Sequence, residues 1–140
     1  MGICELLRSG LASLVAISTQ MIGILPLFKK LENNMEKAKK VEPLEQIIDI
    51  LVSNARDSHV SRLQNGQCTL EQGFIYSEIL TNIERVSDHC SNIAVYQIQV
   101  NHPTFDKHNY LNNVKSFKDE DFNKNFNMYK SKYLQNMASN

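Results

Sequence analysis

Few residues in this chain can end a helix, and that scarcity limits its fold more than any other feature. Its 140 residues include 5 glycines and 3 prolines, too few for the frequent tight turns of a sandwich or barrel. The three prolines and Gly66 stand where long helical runs need punctuation. Pro26 bends or ends an apolar first run. Pro43 falls in the first turn of "VEPLEQIID", where its missing N–H costs nothing. In "NGQCTLEQ" Gly66 can take a left-handed cap, and Thr69 with Gln72 has the T-x-x-Q form of a capping box. The third run continues through Val100 and stops near Asn101-His102-Pro103. The expected fold class is all-α: an antiparallel three-helix bundle with short turns over residues 1–104, then a tail over 105–140 with a short amphipathic helix. No internal repeat is visible.

Charge and cysteine content narrow the partners. The 15 basic and 15 acidic residues cancel, so no global field favours nucleic acid or an anionic membrane. Cys4, Cys68 and Cys90 form no CxxC pair and cannot all pair within one chain, which suits a reduced cytoplasmic setting with the thiols as small buried apolar groups. Ser9 to Phe28 carries no charge over twenty residues, long enough to span a bilayer. However, Ser13, Ser18, Thr19, Gln20, Gly23 and Pro26 interrupt it, and Leu7, Leu11, Leu14, Ile17 or Ser18, Met21 and Leu25 keep helical spacing, so a buried bundle helix is expected there. Glu5 and the lack of an A-x-A pattern argue against a secretory signal.

The apolar stripes follow from about 100° per residue. On the second helix Leu44, Ile47, Ile48, Leu51 and Ala55 share a face, and on the third Tyr76, Ile79, Ile83, Val86, Cys90 and Ile93 are expected to form the core side. In the tail Phe122, Phe126, Tyr129 and Tyr133 recur at i, i+4, i+7 and i+11, a stripe that should pack back on the bundle or meet a partner.

Against these stripes, two carboxylate pairs repeat one device: Glu45 with Asp49 on the second helix and Glu84 with Asp88 on the third, each ExxxD. On adjacent helices such pairs can converge on a polar groove and offer hard oxygen ligands to a divalent or ferric ion. ExxxD also occurs on many solvated faces, where the repulsion is only a few tenths of a kcal/mol, and Arg85 could neutralise Glu84 or a neighbouring acid. His59 reads as a surface or satisfied histidine rather than a ligand, and His89 points about 100° away from Asp88. No nucleophile elbow, H-E-x-x-H or P-loop is present. No histidine stands three residues after a carboxylate in either helix, so no catalytic residue is assigned.

The stretches "VEPLEQIIDIL", "HVSRLQNGQCTLEQGF" and "LTNIERVSDHCSNIAVYQIQ" resemble, in this order, the PhoU-like cytoplasmic region that follows the transporter part of bacterial sodium/phosphate cotransporters. "HNYLNNVKSF" and "YKSKYLQN" look like that family's tail. The resemblance covers about Glu42 to Gln135 and implies one PhoU-like three-helix repeat, the second of the usual two, with a role in phosphate uptake control. It also implies metal held by the ExxxD pairs, here Glu45, Asp49, Glu84 and Asp88; iron, zinc, manganese and magnesium are candidates, and the residues do not choose among them. Residues 1 to 41 resemble the family weakly and are more apolar than its first helix. An exposed apolar face there would be satisfied by a homo-oligomer, by another PhoU-like repeat or by membrane contact.

The reading is a non-enzymatic, cytoplasmic regulatory or accessory module of phosphate homeostasis that works through protein contacts, its partners including a membrane phosphate transporter at the inner face. The alternatives are a structural oligomerisation fragment that binds nothing and a carboxylate-bridged metallohydrolase whose oxygen ligands activate water.

Overall fold

The computed structural model describes residues 14–20, 22, 35–101, 106, 109–110, 112 and 119–134. Its elements are all helical: a stretch at 14–20, then α1 (Met35–Ala38), α2 (Val41–Gln64), α3 (Leu70–Asn101) and α4 (Glu120–Tyr133). Among the described residues there is no strand. The Ser9–Phe28 run is described only at 14–20 and 22, where Leu14 and Ile17 are buried in the common core, as a bundle helix requires. Cys4, Pro26 and Pro103 lie outside the described residues. Among those described, no helix is long and apolar enough to cross a membrane.

α2 is the central element and packs against α1, α3 and α4. Its stripe of Leu44, Ile47, Ile48, Leu51 and Ala55 is buried as the spacing requires, and each fully buried aliphatic side chain contributes about 1.5–3 kcal/mol. Gly66 ends the turn that follows, at φ +66°. There its N–H donates to the Leu63 carbonyl at 3.1 Å, while that of Gln67 donates to the Arg62 carbonyl at 2.9 Å. The two bonds use up carbonyls that the helix end leaves unpaired. The capping box forms in both directions: the Thr69 N–H donates to Gln72 Oε1 and the Gln72 N–H to Thr69 Oγ1, each at 3.2 Å. The reversal sends α3 back along α2. Arg56 therefore meets Glu84, and Glu42, earlier on α2, meets Ser91, later on α3.

One expectation about α3 is corrected. Tyr76 and Cys90 are buried and Ile83 is half-buried, but Ile79, Val86 and Ile93 are exposed. The buried face is instead Gly73, Tyr76, Leu80, Ser87, Cys90, Ala94, Val95 and Ile98. Apolar residues surround α3 so broadly that spacing alone cannot rank two adjacent stripes. The stripe with the small residues Gly73, Ser87 and Ala94 admits α2, because small side chains let two backbones approach.

α4 begins at Asp119, whose carboxylate accepts from the Phe122 N–H at 2.9 Å. Its stripe packs on α2. Phe122, Phe126 and Tyr129 are buried and Tyr133 is half-buried, with the Phe122 and Phe126 rings 5.8 Å apart. The Tyr133 hydroxyl donates to Gln20 of the 14–20 stretch, so the tail helix covers the bundle of its own chain.

Candidate metal centre

A cleft runs between the start of α2 and the second half of α3. Glu42, Glu45 and Asp49 stand at i, i+3 and i+7 and so share one helix face. Opposite them are Asp88, Ser91, Asn92 and Val95. These residues, with Gln46, line a cleft of about 270 Å³. Three of the four carboxylates expected from the ExxxD pairs, Glu45, Asp49 and Asp88, therefore face one space. Glu84, one turn earlier on α3, does not line it: its carboxylate accepts a 2.6 Å ion-pair hydrogen bond from Arg56. The neutralising cation is thus on the neighbouring helix, not the adjacent Arg85.

Glu42 was not legible as a site residue, although its spacing from Glu45 and Asp49 carries the signal. It is only 6% exposed, and the Ser91 hydroxyl donates to it at 2.5 Å, which satisfies one lone pair of a carboxylate otherwise costly to bury. The charges crowd here. Asp49 has its carboxyl pushed above the usual value, first by partial burial, then by repulsion from Glu84, Asp88 and Glu42; a side-chain hydrogen bond with Glu45 opposes the rise. Like charges sharing a site disfavour ionisation of the last member.

The donor set is all oxygen and suits a hard cation such as magnesium, calcium, manganese or iron. As they stand, no three His, Cys, Asp or Glu side chains among the described residues are close enough together to hold an ion. The fit is therefore one of donor chemistry and charge: an acidic cleft whose central carboxylate is held back from ionising.

The other end of the α2–α3 contact is closed. His59 is neither a surface residue nor fully satisfied: it is 8% exposed, and among the described residues its buried Nε2 has no hydrogen-bond partner. Its ring lies 5.1 Å from that of Tyr76, and its Nδ1 is 3.9 Å from the free thiol of Cys68. Burial, then the Arg62 charge, lowers its pKa, so the neutral imidazole is favoured. Gly73 leaves the space: a Cβ there would meet His59 Nε2 at 2.7 Å.

A family model, that of the PhoU domain, matches residues 27–96, which include α1, α2, the Gly66 turn and the carboxylates of both ExxxD pairs. No curated protein and no solved structure matches the chain significantly. With half its length matched and the helices and acidic face in place, the chain belongs to the PhoU domain family.

Proposed function

We propose that this chain is a non-catalytic regulatory module of phosphate homeostasis, of the kind attached to sodium/phosphate cotransporters, and that its acidic cleft takes up a hard divalent or ferric ion. The PhoU domain supports the regulatory role. The ordered motifs from "VEPLEQIIDIL" to "YKSKYLQN" support the cotransporter connection. The observation that carries the metal reading is the convergence of Glu42, Glu45, Asp49 and Asp88 from two helices on one cleft, where repulsion raises the Asp49 pKa. A cation there would offset that repulsion, and Glu45, Asp49, Glu84 and Asp88 would hold it, Glu84 after leaving Arg56. The ion would supply positive charge that draws the two helix faces together, a packing change that a protein partner can read.

The test is elemental analysis of protein purified without chelator, beside the Asp49→Asn, Asp88→Asn double variant. Stoichiometric metal in the parent and none in the variant is the expected result. Because Asp49 must ionise to bind, affinity should rise with pH through the raised Asp49 pKa, with proton release on binding. Metal in neither sample, together with no thermal shift on adding manganese or magnesium, would reduce the cleft to a solvated face and leave a structural bundle.

A further inference from the structure

The face of α3 turned away from α2 carries a second, unused seam. Ile75, Ile79, Val86, Ile93, Tyr96 and Val100 are exposed by 58%, 40%, 39%, 45%, 64% and 56%. With the exposed Asn82 and His89 they form the series 75, 79, 82, 86, 89, 93, 96, 100, in strictly alternating steps of four and three. That is a 3.5-residue repeat sustained from Ile75 to Val100, about 38 Å of helix at about 1.5 Å per residue. It has the pattern of a coiled-coil face. Ile79, Val86, Ile93 and Val100, all β-branched, occupy one seam position; Ile75, Asn82, His89 and Tyr96 occupy the other.

Single exposed apolar residues need no explanation, whereas a contiguous apolar strip of this length marks a contact surface. We propose that the occupant is α3 of a second copy of this chain, paired about a two-fold axis. Three observations favour it. An isologous contact uses the same patch on both sides, and a heptad seam is complementary to itself. The area suffices: six apolar side chains leaving on the order of 100 Å² each, with Asn82 and His89 between them, approach the roughly 800 Å² per partner of a standard interface. Charge does not oppose it, since Glu78 and Arg85 flank the seam with opposite signs and the chain as a whole is neutral, a condition that promotes association. The seam lies on another face of α3 from the acidic cleft, so the two proposals stand or fall separately.

Sedimentation of the full chain over a micromolar concentration series tests this, with Val86→Glu and Tyr96→Glu as variants and Val60→Glu, at an exposed α2 position outside the seam (51%), as control. The parent and the control should be dimers, and each seam variant should weaken the dissociation constant at least about tenfold, or about 1.4 kcal/mol. All three positions are exposed, so helical circular dichroism should be unchanged; should Val86→Glu lose it, Tyr96→Glu alone carries the reading. A monomeric parent would overturn the proposal and leave the seam to another segment of the chain or a different protein. So would a dimer that both seam variants leave intact.

Discussion

The two ends of the α2–α3 contact are built from the same pair of helices and behave oppositely. At the turn end, Gly73 lets His59 lie against the α3 backbone, the Tyr76 ring lies tilted beside the imidazole, and His59 is buried. At the far end, Glu42, Glu45, Asp49 and Asp88 hold a cleft open. The closed end is held by shape, through contacts that any change of volume disturbs. At the acidic end charge crowds, and burial and like-charge repulsion raise the Asp49 pKa.

The largest effect should come from the boundary between the ends. Leu80→Ala removes a side chain with 0% exposure and should cost about 2–5 kcal/mol in urea unfolding; a smaller loss would mean that the ends are not joined by one continuous core. Next is Gly73→Ala. In a helix interior this change ordinarily gains about 0.5–1 kcal/mol. Here the new Cβ at 2.7 Å from His59 Nε2 should reverse the sign and cost about 1–3 kcal/mol, and a gain would show that the imidazole yields freely.

Asp49→Asn should act in the opposite direction. A carboxyl whose pKa is raised by folding stabilises the protein most below its unfolded value of 3.8 and loses that contribution as pH rises through the raised value. The variant should match the parent at pH below 3.8 and become more stable above it. Because Asp49 is exposed, the gain should stay under about 1 kcal/mol. Thermal melts across pH read the divergence, and a parallel pair of curves would break the charge account of the open end. The smallest effect is that of Arg56→Gln. Both partners of the Arg56–Glu84 pair are partly exposed, at 41% and 34%, so its loss should cost no more than about 1 kcal/mol. It should also free Glu84 and tighten manganese binding measured by calorimetry; unchanged or weaker binding would remove Glu84 from the ligand set.

Much of this was legible from residue spacing, and the failures are specific. The α2 stripe, the Gly66 and Thr69 caps and the Phe122–Tyr133 stripe were readable because each is a local pattern whose alternatives are poor. Glu45, Asp49 and Asp88 were readable as a converging set because ExxxD recurs on two helices joined by a short turn. Glu42 stands outside the ExxxD pairs, and its partner Ser91 lies 49 residues away, so no local pattern ties it to the cleft. The Glu84 partner was misplaced for the same reason: Arg56 is 28 residues away, whereas Arg85 is merely adjacent. His59 was misread because Gly73 and Tyr76, which bury it, come from the next helix.

The sequence by itself determined that the described chain is helical, where α2 and α3 begin and end, and which face of α2 is buried, since backbone propensity, caps and a single clear stripe act within a few residues of one another. Only the tertiary structure decided which side of α3 is inside. Two apolar seams compete there, and the choice rests on how closely two backbones can approach at Gly73, Ser87 and Ala94, a property of the helix pair that neither helix carries alone.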